Sequence, residues 1–434
     1  MSFRPVAPDR VDKPLPIWRL FVGRTASNPL VGWPHSAFEQ PYWYRRVFTI
    51  RYHLINDPDA IGRIFLDNAA NYEKPPLVRR ILGGLVGEGL LTAEGAAWRE
   101  QRRLMAPAFT PGAVADFAPL FSTCAVQACQ RWAAGPIDVA AEAVRTTAAI
   151  ISRALFSDEP SLTSDEAADH MHAALAAASE YRLGVMIGAP WLDRSSVARR
   201  GAVGRRYILG RLAAFIERRR SDPDPPPDFM TRLLSAFGQD RTADAAAKLA
   251  LDNAVTFYIA GHETTANAIA WTLYLLSEDQ AAQARAASDP VFLRQVIEEA
   301  MRLYPPAPRI DRVALADDEL CGHRIRKGDT VSVWPWVVHR HGRLWREPDL
   351  FDPENFNEAA RAGRHRFQYL PFGAGPRVCI GAQFAMTEAM TILADWLAGW
   401  RFLPDRSRTV FPRAEVTLRP DGGLHLWIEP RKAA

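Results

Sequence analysis

Apolar positions recur at the three-to-four-residue period of a buried helix face through most of this chain, and at the two-residue period of a strand in only a few short stretches. The N-terminal stretch follows neither period. Proline and aromatic residues dominate it, which predicts an irregular arm over 1–45 lying along the body. Residues 49–58, TIRYHLINDP, alternate β-formers and stop at Asn56, Asp57 and Pro58, predicting one or two short strands. From Trp98 onward helical patterns take over, through segments near 114–133, 137–156, 165–187 and 195–220. The proline-dense run 221–227 forbids a helix and predicts a loop. A long helix is predicted over 243–276, and its inner part is apolar on nearly all sides, as suits a helix through the middle of a protein. A helix over 288–304 stops at Pro305 and Pro306. Residues 311–333 read as short strands joined by turns, and 380–397 as the last long helix. Within 400–429, Asp421, Gly422 and Gly423 can supply the turn of a hairpin. The sum is a mainly α chain with a minor β component. It has no internal repeat and no boundary between two cores, so a single domain over 1–434 is expected.

Composition narrows this picture. With 48% hydrophobic residues, a chain of 434 residues can bury one large core. Its start carries charges and prolines where a signal peptide needs an apolar run, and no stretch reaches the ~20 apolar residues of a membrane span. A cytoplasmic protein without a transmembrane anchor is therefore expected. Lys and Arg number 53 against 49 Asp and Glu, a net charge of +4, which is too small an imbalance to argue for nucleic acid. Abundant alanine and arginine suggest a high-GC bacterial genome. The four cysteines, 124, 129, 321 and 379, make no metal-knuckle spacing. Cys124 and Cys129 are five apart, off the spacing that stacks two residues on one helix face, and read as ordinary thiols.

Cys379 is different. It sits just before an apolar helix, in PFGAGPRVCIGAQFA (371–385), where free amides and the positive helix end favour a thiolate. A lone cysteine at such a place is ordinarily a buried thiol in a glycine-rich turn. Here six fixed positions, Phe372, Gly373, Gly375, Arg377, Cys379 and Gly381, match FGxGxRxCxG, which resembles the haem-binding signature of the cytochrome P450 family. The resemblance implies a P450-like haem-thiolate fold and a haem b cofactor. Cys379 would ligate iron, Phe372 pack near the sulfur, Arg377 pair with a propionate, and Ala385 lie on the proximal side; the glycines, Gly373 and Gly381 among them, would let the backbone pass close to the ligand.

Four further motifs occur in the family's order. AGHETT (260–265) interrupts the long apolar helix and looks like the oxygen-activation motif, matched through Ala260, Gly261, Glu263 and Thr264. By that resemblance Thr264 bonds bound dioxygen and Glu263 passes protons through water, while the two small residues make room; His262 is read as packing. Glu299 and Arg302, three apart on one helix face, resemble the ExxR pair and are taken as structural. The family commonly follows with PERF, but this chain has Pro353, Glu354, Asn355 and Phe356, so the three-residue network loses an arginine. Asn355 is expected to bond Glu299 or nearby backbone. Trp98 and Arg102, four apart, resemble the WxxxR propionate clamp, and Arg312 matches another propionate position, with Arg309 close enough to share it.

The implied activity is a monooxygenase inserting one oxygen atom of dioxygen, mostly into C–H bonds of a small hydrophobic substrate. Leu90, Leu91, Phe257, Pro306, Ala307 and Ile310 would contact that substrate, within 77–92, 180–198, the 257–260 helix face and 306–310. No dinucleotide fingerprint or fused redox segment is evident, so electrons from NAD(P)H are expected through a separate ferredoxin and ferredoxin reductase, with Arg99, Arg103, Arg364 and Arg366 as a docking face. Two alternatives stay open: a haem-thiolate isomerase or peroxygenase, and a noncatalytic haem-binding sensor or carrier.

Overall fold

A computed structural model of the chain describes residues 3–21, 23–47, 49–179, 195–226 and 228–431. The longer helices are α1 (Pro76–Val86), α2 (Gly95–Met105), α3 (Ala118–Cys129), α4 (Val139–Phe156), α5 (Asp165–Ser179), α6 (Ser196–Ser221), α7 (Phe229–Gly238), α8 (Ala243–Glu278), α9 (Pro290–Leu303) and α10 (Ala382–Gly399). Side-chain caps set several of their starts. Asp138 accepts from the amides of Ala140 and Ala141, Ser195 from Ala198, Thr242 from Ala245, and Asp289 from Val291 and Phe292. The predicted 114–133 helix is shorter than expected because Pro111 and Pro119 each open a new helix. The part of the predicted 165–187 helix beyond Ser179 lies outside the described residues.

α8 is the axis. It packs against α4, α6, α7, α9 and α10, and its positions from Ala266 to Ser277 are buried without a break, which explains its lack of a polar face. Gly261 serves this packing: a Cβ there would lie 2.6 Å from Ile151 Cδ1 of α4. The missing side chain at Gly261 thus also admits a neighbouring helix.

The strands lie at the edges of this helical body. β1 (Tyr42–Val47), β2 (Ile50–Ile55), β3 (Tyr72–Glu73), β5 (Ile310–Ala314) and β8 (Thr330–Val333) form one sheet in the order β1-β2-β8-β5-β3, with β2 and β8 parallel. β6 (Asp318–Leu320) and β7 (His323–Ile325) form a hairpin. β4 (Gly135–Asp138), β9 (Trp400–Pro404) and β12 (His425–Pro430) form a third sheet, and β10 (Pro412–Ala414) pairs with β11 (Leu418–Pro420). The expected hairpin across Asp421 to Gly423 does not form. Gly422 and Gly423 turn the chain at φ 76° and 90°, but Asp138 accepts the Leu424 amide at 3.0 Å and draws β12 to β4 and β9 instead. At the N-terminus, Phe3 accepts the Phe351 amide, and Val6 accepts the Tyr304 hydroxyl at 2.7 Å.

Candidate active site

The Cys379 loop is held from three sides. The Cys379 amide donates to the Phe372 carbonyl at 2.9 Å, and Arg102 Nη1 of α2 donates to the Val378 carbonyl at 2.8 Å. Gly375 adopts φ 66° with Phe65 O only 1.7 Å from where a Cβ would stand, so close contact with protein backbone, rather than with a ligand, demands glycine there. The side chain of Cys379 is exposed. Burial pushes its thiol up, while the Gly381 amide and Arg102 favour the thiolate. Phe372, Gly373, Gly381 and Ala385 are each partly exposed beside it.

Near Cys379 is a cluster of positive charge. Glu94 accepts from Lys74 at 3.0 Å and from Arg377, while Arg377 also donates to Ala93 O at 2.8 Å and covers the Trp98 ring at 4.0 Å. Among the described residues Arg312 donates to the Asp311 carbonyl at 2.8 Å and feels Glu94 and Asp311 at longer range. Lys74 and Arg377 thus bond one carboxylate, Arg312 feels it at longer range, and Arg102, held on the Val378 carbonyl, adds its charge to that of Arg377. Burial and the neighbouring Arg377 push Lys74 down to about 8, and burial pushes Arg377 down to about 10. Arg309 pairs with Asp311 at 2.6 Å over Trp334 and Tyr52. An exposed thiol with several cations nearby, only two of them bonded to Glu94, is a donor set that fits haem, with a soft ligand for iron and cations for two propionates.

On α8, Ala260 is exposed although Ala254 to Ile259 are all buried, and Thr264 one turn on is partly exposed. These two sit on the face that also carries Phe257, whose ring is stacked on Phe109 at 5.3 Å and meets Phe229 edge-on. Thr264 donates to Ala260 O at 2.7 Å. Glu263 is buried. Its Oε1 accepts from Thr417 at 2.8 Å, its Oε2 has no partner among the described residues, and burial pushes it up to about 7. His262 is buried against the Tyr258 carbonyl and pushed down to about 4 by burial, so it is a packing residue as expected.

Of the expected substrate contacts, Leu91 is the most open at 37% exposure, Ala307 and Ile310 are partly exposed, and Leu90, Phe257 and Pro306 are buried. Leu90 is pinned through its amide to Asn253, and Pro306 through its carbonyl to the Leu418 amide. Residues 180–194 lie outside the described residues.

Behind the loop, Glu299 and Arg302 are both fully buried and joined by two bonds, at 2.7 and 2.8 Å. Arg302 also donates to the carbonyls of His339, Pro348 and Leu350, and Glu299 accepts the Asp352 amide. Asn355 reaches Glu299 as expected, but weakly, at 3.3 and 3.4 Å from a single nitrogen. Arg364 is half-buried over the Phe356 ring at 4.3 Å; Arg99, Arg103 and Arg366 are exposed. Sequence reasoning missed Lys74, Glu94 and Thr417, which no local motif marks because their partners lie far along the chain.

The helical body, the peripheral sheets and the cysteine loop ahead of the last helix define the class: a haem-thiolate fold. The sequence profile of the cytochrome P450 family matches residues 35–427. Cyclooctatin synthase of Streptomyces melanosporofaciens is 30% identical over 405 residues, covering 86% of this chain and 85% of the relative. The crystal structure of a six-coordinated cytochrome P450 from Thermus thermophilus superposes with a TM-score of 0.73 at 29% identity, over 91% of this chain and 95% of that one. A cytochrome P450DA heme domain reaches 0.82 at 22% identity, over 99% of both chains, a likeness of fold. This chain belongs to the cytochrome P450 family, and membership supports monooxygenase chemistry at the level of the family.

Proposed function

We propose that this protein is a haem-dependent monooxygenase that inserts one oxygen atom, chiefly into C–H bonds, of a small hydrophobic substrate. The observation that carries the reading is an exposed Cys379 with Arg102 bonded to the carbonyl next to it and with Lys74, Arg312 and Arg377 clustered near Glu94, which bonds only Lys74 and Arg377 among these four cations. Cys379 would hold the iron of haem b. Arg102, Arg312, Arg377 and the Trp98 indole would hold its propionates, with Ala260, Gly261, Phe372, Gly373, Gly381 and Ala385 lining its site. When bound, haem supplies the dioxygen-reducing and oxygen-inserting chemistry. The chain's own residues do the rest. The Thr264 hydroxyl, donating to Ala260 O, keeps lone pairs free to accept a hydrogen bond. Glu263, pushed up to about 7, takes and gives a proton near neutral pH, and its unpartnered oxygen is free for water. Apolar Leu91, Ala307 and Ile310 exclude water from a bound substrate.

Electrons come, in this reading, from NAD(P)H through a separate ferredoxin and reductase in the cytoplasm, and the whole chain works as one domain. The test is a ligand titration of the purified ferric protein followed in the Soret band, then product analysis with isotopic dioxygen and a redox system. One labelled oxygen in a product that depends on the electron donor is expected. Ligand binding without donor-dependent turnover would overturn the reading in favour of a sensor or carrier.

A further inference from the structure

The Glu299 cluster contains a cation that the family motif does not assign. Glu299 is fully buried and holds one arginine, Arg302; Asn355 adds a neutral amide at 3.3 Å and no charge. Arg364, nine residues further on, donates to the Asn355 carbonyl and lies over Phe356, Trp345 and Tyr369 at 4.3, 4.8 and 5.8 Å. Arg302 lies over the same Trp345 ring at 4.9 Å, so one indole meets both guanidiniums. The Arg364 charge also interacts with those of Glu298 and Glu299. Its neighbour Arg361 is already committed to Glu298.

We infer that Arg364 stands in for the arginine missing at position 355, returning a second positive charge to the buried Glu299 site from a later loop. An arginine at 355 would approach Glu299 directly. Arg364 instead clamps the Asn355 main chain and rests on the aromatic shelf, which spares the guanidinium full desolvation. Arg364 is therefore a positioning residue. The segment it anchors runs through Tyr369, whose hydroxyl donates to Glu298 O at 2.9 Å, and Leu370, whose amide donates to His339 Nε2 at 2.8 Å, into the loop that presents Cys379.

The test uses the holoprotein and four variants: R364M, R364K, N355R and N355R/R364M. Two readouts are taken: the thermal unfolding midpoint, and the ratio of thiolate- to thiol-ligated iron in the ferrous carbon monoxide spectrum. The spectroscopic readout rests on the reading that Cys379 ligates haem; the unfolding readout does not, and neither requires substrate or turnover. R364M should lower the midpoint and reduce the thiolate ratio about tenfold, the scale of losing a charged group from a coupled buried network. R364K should keep most of both. N355R/R364M should recover them, because the charge is back at its ordinary place. Equal losses from R364M in the parent and in the N355R background would overturn the inference, as would a neutral R364M. If R364M alone does not fold, recovery of folding by N355R decides for the inference and continued failure decides against it.

Discussion

At the scale of single residues, Glu263 is the acid whose surroundings matter most. Burial moves it from 4.5 to about 7, and the Thr417 hydroxyl pulls it back only in part. The folded protein therefore retains a proton that the unfolded chain releases, so this group's contribution to stability falls as pH rises from about 4.5 to about 7. Glu263→Gln carries no such penalty. Its stability relative to the parent should rise by about 2 kcal/mol between pH 5 and pH 8, on the scale of ~1.4 kcal/mol per pH unit, as read from denaturant unfolding at the two pH values. Thr417→Val removes the one hydrogen bond that favours the charged form, so the pH window over which the parent loses stability should extend upward. No shift in that window would show that Thr417 does not tune the acid. Glu263 was legible in the sequence because it sits in a motif. Thr417 was not, because a threonine 154 positions away carries no local mark of its partner.

At the scale of elements, two glycines show what the sequence motifs left unstated. Gly375→Ala would place a methyl group 1.7 Å from Phe65 O, at a φ of 66°. Backbone cannot yield as a side-chain tip can, and a loss of about 3 kcal/mol or more is expected in thermal or denaturant unfolding. Gly261→Ala meets only the far end of Ile151, at 2.6 Å, so about 1 kcal/mol is expected, and a second change, Ile151→Val, should restore part of it. Failure of Ile151→Val to help would place the strain elsewhere. The same scale explains the hairpin that did not form. Gly422 and Gly423 make a turn, but a turn alone does not choose which strand pairs with the next one; Asp138 does, by accepting the Leu424 amide.

At the scale of the whole molecule, no single described helix is long and apolar enough to cross a membrane, although one bent pair, Gly95–Phe109 with Pro111–Cys129, meets the length and composition criteria together. The small net charge of +4 conceals local asymmetry. Arg99 and Arg103 on α2 and Arg366 ahead of the cysteine loop are exposed, so reduction by an acidic ferredoxin should slow several-fold as salt screens these charges over a Debye length of ~10 Å. A rate independent of salt would remove them from the docking face. Arg364 should contribute little to that salt dependence, since its guanidinium is spent on the aromatic shelf.

By itself the sequence determined the elements and the chemistry they bear. Helical period, caps and prolines are local, so α4, α6, α8, α9 and α10 fall close to their expected bounds. The motifs around Cys379, Glu263 and Glu299 are local words too, and their order along the chain identified the family. Only the tertiary structure decided what meets across the chain. It bonded Lys74 and Arg377 to Glu94, brought Arg312 within range of the same carboxylate, bonded Thr417 to Glu263, turned Gly261 toward Ile151 and seated Arg364 beside Asn355. The reason is that propensity and periodicity act over a few neighbouring residues, whereas the partner of a buried charge is chosen by packing between segments a hundred or more residues apart.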